Sequence, residues 1–352
     1  MKEFWSSRIQ NLVPYTPGEQ PRDRKFIKLN TNENPYPPSP RALEAIRANT
    51  NESLRLYSDP EGTALRAALA EVYGLKESQI FVGNGSDEVL AFAFQAFFGV
   101  GDTVAFPDIT YSFYPVYAEM FGINCKIVPL NDDFTMPVDG LIGGNNGVVI
   151  TNPNAPTGIE LPQSELRRVL EGNPDVVVIV DEAYVDFGGA SALPLLEEYS
   201  NLLVVQTMSK SRSLAGLRVG FAFGSENLIQ AVNCVKNSIN SYTLDRLAIA
   251  GGTAAVQDRA WFAENCAKVA ATREVTVRRL QALGFTVLPS KANFIFISHE
   301  KVPAKTLFAR LRQEGILVRY FDKPRIDNFL RVTIGTDADM DTFCSVMEKL
   351  VK

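Results

Sequence analysis

Histidine is almost missing from this 352-residue chain, in which His299 is the only one. That excludes a catalytic triad built on any other imidazole, and any metal site made of several histidines, so no metal is expected. The segment Ser298-His299-Glu300-Lys301 reads as a polar surface turn after an apolar strand. The four cysteines, Cys125, Cys234, Cys266 and Cys344, form no CxxC pair. Scattered buried thiols are the simplest reading of them, and they fit a cytoplasmic protein. No apolar run reaches the roughly 18 residues that cross a bilayer. The opening Met1-Lys2-Glu3-Phe4-Trp5 has no apolar stretch of the kind a secretory signal needs. A basic stripe is lacking too: 35 Lys and Arg are interspersed with 40 Asp and Glu for a net charge of −5. Nucleic acid is therefore not an expected partner, nor is a membrane. Neither GxGxxG nor GxxxxGK followed by Ser or Thr occurs, which leaves dinucleotide and nucleoside-triphosphate sites without support.

What is present is ample core, with hydrophobic residues at 46% in a length that suits one large and one small domain. The first thirty-odd residues are proline-rich and irregular, an arm more than a domain. From about 55 to 260 short apolar strands alternate with helices. Strands are expected at Ile80-Phe81-Val82, Thr103 to Phe106, Cys125 to Val128, Gly147 to Thr151, Val176 to Val180 and Leu202 to Gln206. Helices are expected at Val89 to Phe98 and around Phe113 to Phe121. Apolar strands without alternation are buried on both faces, which predicts a mainly parallel sheet between helices. Beyond 258 the pattern changes to a long helix, Asp258 to Leu283, a helix at about Pro303 to Glu314, and a last amphipathic helix. Strands are expected there at Thr286 to Leu288, Phe294 to Ile297, Ile316 to Arg319 and Phe329 to Ile334. The expected fold is α/β with a smaller α+β unit: an arm at 1–50, a large domain at 51–260 and a small domain at 261–352.

Four segments each follow a buried strand, where an α/β sheet places its ligands. Val176-Val177-Val178-Ile179-Val180-Asp181 ends a β-branched run on a carboxylate. A buried carboxylate costs several kcal/mol unless a cation or hydrogen bonds compensate; a protonated pyridine nitrogen is one such cation, and a helix cap is the plainer explanation. Gln206-Thr207-Met208-Ser209-Lys210 continues to Gly216-Leu217-Arg218-Val219-Gly220. A lysine among cationic neighbours has the lowered proton affinity that a Schiff base requires, and Thr207, Ser209 and Arg218 suit a phosphate dianion. An exposed basic turn is the competing explanation. Gly83-Asn84-Gly85-Ser86-Asp87-Glu88 lets helix amides face an anion. Thr151-Asn152-Pro153-Asn154-Ala155-Pro156-Thr157-Gly158 is a stiff loop, and alone reads as no more than that.

Together these segments resemble the fold-type I, class I/II pyridoxal-phosphate-dependent aminotransferases, essentially end to end. The likeness rests on NPxxPTG at Asn152 to Gly158, VDEAY at Val180 to Tyr184 and the Ser209 to Gly220 segment. Within that superfamily the chain looks most like the histidinol-phosphate aminotransferase family, through Asn11 to Tyr15, Leu29 to Pro35, Leu56 to Pro60, Gly315 to Arg319 and Leu330 to Gly335. The resemblance implies pyridoxal 5′-phosphate carried by Lys210, which also shuttles a proton. It implies Asp181 on the pyridine nitrogen, Tyr184 on the 3-hydroxyl oxygen and Tyr111 stacked on the ring. The phosphate falls to Ser86, Asp87, Thr207, Ser209 and Arg218, with Tyr57 reaching over from a partner subunit, hence a homodimer. Arg331 takes the substrate carboxylate and Arg319 the substrate's own phosphate, although Arg319 also reads as an ordinary strand-end arginine. Tyr15 and the Asn30 to Asn34 segment, Asn32 included, close over the substrate. One departure stands out: Ala155 occupies the place of the family's asparagine before Pro-Thr-Gly, leaving Asn154, Asn152 or Tyr184 alone to take over its role.

The implied reaction is amino transfer between histidinol phosphate and 2-oxoglutarate, run towards histidinol phosphate with glutamate as donor, in histidine biosynthesis. The alternatives are an aromatic amino-acid aminotransferase, a threonine-phosphate decarboxylase, or a catalytically silent cofactor-binding regulator.

Overall fold

The computed structural model describes residues 4–21 and 24–352; Met1, Lys2 and Glu3 of the opening segment lie outside the described residues. Its strands, in chain order, are β1 (Ile27–Lys28), β2 (Ile80–Gly83), β3 (Thr103–Pro107), β4 (Asn124–Val128), β5 (Gly147–Thr151) and β6 (Val177–Asp181). There follow β7 (Leu202–Thr207), β8 (Gly220–Gly224), β9 (Phe285–Val287), β10 (Phe294–His299), β11 (Ile316–Leu317), β12 (Arg319–Tyr320) and β13 (Leu330–Thr333).

Seven of them form one sheet in the order β2-β8-β7-β6-β5-β3-β4. All run the same way except β8, which is antiparallel to both its neighbours. The continuous Val, Ile and Leu runs have a simple cause. Val148, Val178, Val180 and Val204 enter the core on one face, while Val149, Ile179, Leu203 and Val205 enter the core on the other. A strand covered by helices on both faces has no polar side to show.

The register sets Thr151 beside Asp181, and Gly220 beside both Gly83 and Thr207. One edge of the sheet thus collects the carboxyl ends of β2, β5, β6 and β7 and the start of β8. At that edge the helix Gly85–Phe97 begins four residues earlier than the apolar pattern at Val89 predicts. Glycine makes this close approach possible. A Cβ on Gly220 would lie 2.3 Å from both the Gly85 carbonyl carbon and the Ser86 nitrogen. Backbone cannot swing aside as a side-chain end can. Gly220→Ala is therefore expected to destabilise the fold by about 1–3 kcal/mol through overpacking, read as a lower denaturation midpoint. An unchanged midpoint would contradict this packing.

A second sheet is antiparallel in the order β12-β13-β10-β9, and β1 pairs in parallel with β11. The core beneath includes Leu29 of the amino-terminal segment, packed with Val269, Ile295, Ile316 and Phe343. The long helix Arg259–Ala282 is capped by Asp258, whose Oδ2 also accepts from Ser39 Oγ at 2.5 Å.

Several expectations change. The single strand expected at Ile316 to Arg319 is two short strands in different sheets, because Ile316–Leu317 pairs with the arm and Arg319–Tyr320 with β13. Strand β8 has no counterpart among the expected strands, since Gly-Phe-Ala-Phe-Gly is bounded by glycines that read as loop. His299 is not on the surface: it ends β10 buried against Phe285, 4.8 Å between ring centroids, and its Nδ1 accepts from the Lys301 and Val302 amides at 3.2 Å. Cys266 and Cys344 are buried, but Cys125 and Cys234 are exposed. Among the described residues no helix is long and apolar enough to cross a membrane.

Candidate active site

A cavity of about 200 Å³ opens at the shared sheet edge, roofed by the amino-terminal segment and by Arg319 and Arg331. Lys210 follows β7 and sits deep in it, with Nζ donating to the Thr31 carbonyl at 3.2 Å. Its backbone is anchored: Asn34 Nδ2 donates to the carbonyls of Lys210 and Ser211 at 3.0 and 3.3 Å, and Ser211 Oγ to Asp186 at 2.5 Å. Burial, helped by Arg331 and Arg218, pulls the Lys210 ammonium down to about 8, against opposing pulls from Glu33 and Asp87. Only a free amine attacks a carbonyl, and a group titrating there supplies one near neutrality.

Asp181 ends β6 and is buried, accepting from Tyr114 Oη at 2.9 Å and the Ala183 amide at 3.1 Å. Among the described residues no cation lies within ion-pair distance of it, and burial pushes its carboxyl up to about 6. A buried acid with hydrogen bonds but no counter-charge is poised for a cationic ligand. Its neighbour Glu182 does not line the cavity. It accepts from Ser191 Oγ, Ala192 N and Gln206 Nε2 at 2.7, 2.5 and 2.8 Å.

At the other end of the cavity the helix Gly85–Phe97 has no side-chain cap, so the Ser86 and Asp87 amides are available to an anion. Arg218, itself in the left-handed region with φ 56°, crosses Gly85 so closely that a Cβ there would sit 2.4 Å from Nη2. Its Nη2 contacts Asp87 Oδ2 at 3.2 Å. Thr207 Oγ1 and Ser209 Oγ stand 2.9 Å apart beside it. Tyr111 closes one side, with Oη donating to Asp87 Oδ1 at 2.8 Å. Tyr184, T-stacked on Phe294 at 5.0 Å, accepts from Asn32 Nδ2 at 3.1 Å, and burial raises the affinity of its phenol for its proton. Asn32 Oδ1 in turn accepts from Thr333 Oγ1 at 3.0 Å.

Arg331 and Arg319 sit over the same Phe321 ring, 5.7 and 5.5 Å from its centroid. Arg331 Nη2 donates to the Asn30 carbonyl at 3.0 Å, while its buried Nε has no partner among the described residues. Arg319 Nη2 is 3.5 Å from the Thr16 carbonyl. Among the described residues neither guanidinium has a carboxylate within 4.0 Å, and burial, with Arg319 as a secondary cause, lowers the proton affinity of Arg331. Tyr15 lies beside them, stacked on Phe113 at 4.4 Å.

The structure thus brings thirteen of the fifteen expected residues to one cavity: Tyr15, Asn32, Ser86, Asp87, Tyr111, Asp181, Tyr184, Thr207, Ser209, Lys210, Arg218, Arg319 and Arg331. Two are elsewhere. Asn154 is turned into its own loop, its Nδ2 donating to the Ile109 carbonyl and Thr157 Oγ1 at 3.0 and 3.1 Å, so it does not supply the hydrogen bond that Ala155 cannot make. Asn152 is spent on both backbone groups of Leu161. Tyr57 is 80% exposed and stacks on Tyr242 at 4.5 Å, outside the cavity. Sequence reasoning passes over Tyr114 and Thr151; the only signal is a polar group at the end of β5 and a tyrosine one turn beyond Tyr111. Among the described residues no group of three or more His, Cys, Asp or Glu could hold a metal.

A free lysine, an unmatched carboxylate and an anion cradle, set at the strand ends of a mainly parallel sheet, define a class, that of the fold-type I aminotransferases. Residues 24–347 match the family model for aminotransferase class I and II, and the chain belongs to that family. It is 54% identical to histidinol-phosphate aminotransferase from Clostridium acetobutylicum over 351 residues, 100% of both chains. It is 56% identical to the enzyme of that name from Acinetobacter baumannii strain SDF over 337 residues, 95% of this chain and 93% of the other. The crystal structure of histidinol-phosphate aminotransferase from Sinorhizobium meliloti in complex with pyridoxal-5′-phosphate superposes with a TM-score of 0.86 at 26% identity, covering 93% of this chain and 92% of that one.

Proposed function

We propose that this chain is a pyridoxal-phosphate-dependent transaminase acting on L-histidinol phosphate and 2-oxoglutarate, with glutamate as the physiological donor. The observation that carries it is the pair of guanidiniums, Arg319 and Arg331, held without carboxylates beside Lys210. Like charges gathered this closely need an anion, and glutamate's carboxylates and the substrate's phosphate both supply one.

The residues fit the cofactor. Asp181 offers the anion that a pyridinium lacks, and the Arg218 guanidinium, packed against Gly85 beside the uncapped start of the helix, suits a phosphate. Thr207 and Ser209 add hydroxyls, Tyr111 a ring face and Tyr184 a donor for the 3-hydroxyl oxygen. When bound, pyridoxal phosphate supplies an electron sink for negative charge at the carbon bearing the amine. Lys210 would hold it through its amine and, as the free base, would take and return the proton at the substrate α-carbon. Asn32 holds Tyr184 in place. Tyr15 and the Asn30 to Glu33 segment keep water from the amine. Arg331 takes the carboxylate of glutamate, and Arg319 the phosphate of histidinol phosphate.

The enzyme is proposed to be a homodimer in which the exposed Tyr57 ring reaches the partner's cofactor phosphate. The four free cysteines suit a cytoplasmic setting.

Arg319→Ala tests the substrate. It is expected to lower kcat/KM for histidinol phosphate by roughly 10- to 150-fold, the loss of one charge-assisted bond, while largely sparing phenylalanine. Equal losses on both donors would give Arg319 a structural role and favour an aromatic amino-acid aminotransferase.

A further inference from the structure

Tyr114 is fully buried between Phe94 and Phe106, and its hydroxyl meets two oxygens, Asp181 Oδ2 at 2.9 Å and Thr151 Oγ1 at 2.6 Å. Thr151 Oγ1 in turn lies 3.2 Å from Thr110 Oγ1. A phenol has one hydrogen to give, and an ionised carboxylate can only accept. With Asp181 ionised, the Tyr114 hydrogen must therefore point at Asp181. Thr151 must then donate to Tyr114 Oη, and Thr110 is left to donate to Thr151. We propose that Tyr114 is a positioning residue of this site, holding Asp181 ionised and aimed at the cofactor ring through a one-way chain of hydroxyls, Thr110 to Thr151 to Tyr114 to Asp181. The inference rests on the cofactor reading above and adds to it residues that the resemblance gave no role.

Each link polarises the next, so the chain delivers more to the carboxylate than one isolated hydroxyl does. Among the described residues Asp181 has one other donor, the Ala183 amide. The charged and titratable groups that face it are Lys210 and Asp87, with Tyr184 and Tyr117 beyond. Lys210 favours its ionised form, and Asp87 opposes it. The hydroxyl chain is thus the main local support for the charge that keeps the pyridine nitrogen protonated.

The holoenzyme and its Tyr114→Phe and Thr151→Val variants provide the test. Phenylalanine keeps the packing against Phe94 and Phe106 and deletes only Oη. Tyr114→Phe is expected to lower kcat about tenfold, the worth of one hydrogen bond to a charged group, with KM little changed. The pH midpoint of the visible cofactor band should move upward, because a less positive ring leaves the lysine-linked nitrogen more basic. Thr151→Val should move both readouts the same way and less far. On an Asp181→Asn background, Tyr114→Phe should add nothing further, the non-additivity expected of a residue acting through another. A Tyr114→Phe holoenzyme with an unshifted band and kcat within about twofold of the unaltered protein would overturn the inference, as would full additivity with Asp181→Asn. If the unaltered protein itself carries no borohydride-reducible visible band, the cofactor reading fails and this inference with it. A normal band in the unaltered protein with a silent Tyr114→Phe variant sinks this inference alone.

Discussion

Lys210→Ala is expected to abolish the visible absorption that borohydride removes from the unaltered protein, and to lower transamination by at least about 10²–10⁴-fold, the range for a lost general acid–base group. On the proposed reading the amine is the group that bonds the cofactor aldehyde, and among the described residues no other lysine lines the cavity. Lys28 is engaged by Glu33 at 2.7 Å, and the guanidiniums of Arg218 and Arg331 do not deprotonate. The site is built around this one amine. Its backbone is fixed by Asn34 and, through Ser211, by Asp186, and burial beside Arg331 brings its proton affinity down to about 8. The groups proposed to take the cofactor's phosphate do not include Lys210, so the variant should still bind cofactor noncovalently, with a spectrum like that of the free aldehyde. Equilibrium dialysis alongside the spectrum separates lost binding from lost bonding. A borohydride-sensitive band of normal intensity in Lys210→Ala would remove Lys210 from its role.

The large sheet is legible because its strands are unbroken apolar runs, from Val148 to Ile150 and from Val177 to Val180, and burial on both faces leaves that signature in one dimension. The strand at Gly220 to Gly224 is hidden for the opposite reason. Its end glycine is there to let backbone pass within reach of Gly85 and Ser86, a demand set by tertiary packing that looks like a loop in the sequence. The split between Leu317 and Arg319 is likewise invisible, since it follows from the arm strand Ile27–Lys28 arriving from some 290 positions away. In the site, Lys210 and Asp181 are readable because each is a charge at the end of an apolar strand. Asn154 misleads because adjacency to the missing asparagine at Ala155 says nothing about direction. Its amide is consumed by Ile109 and Thr157. Tyr114 escapes notice because a tyrosine among aromatic residues reads as core, and so it is, apart from one oxygen.

Asp181→Asn is expected to lower activity while raising the stability of the cofactor-free protein. The amide keeps the shape and can still accept from Tyr114, but it carries no charge to hold a proton on the pyridine nitrogen. Removal of a preorganised electrostatic group of this kind should slow deprotonation of the substrate carbon by about 10²-fold or more. Stability of the cofactor-free protein follows from the sign of the carboxyl's shift. Burial raises its folded value to about 6, above the ordinary 3.8, so the folded chain binds the proton more tightly than the unfolded one. The cost of burying the charge is absent below the ordinary value, grows between the two and is fully present above about 6. Asparagine removes that cost, so at neutral pH the cofactor-free variant should be more stable than the unaltered protein by on the order of 2–3 kcal/mol, and near pH 3 the difference should vanish. With cofactor bound the order should reverse, because the pyridinium then compensates Asp181 and only the unaltered protein gains from it. Denaturation midpoints of both forms with and without cofactor, at neutral and acid pH, measure this. A variant that keeps activity within threefold of the unaltered protein, or that is destabilised without cofactor at neutral pH, would mean that Asp181 is not a carboxylate held in readiness for a cation.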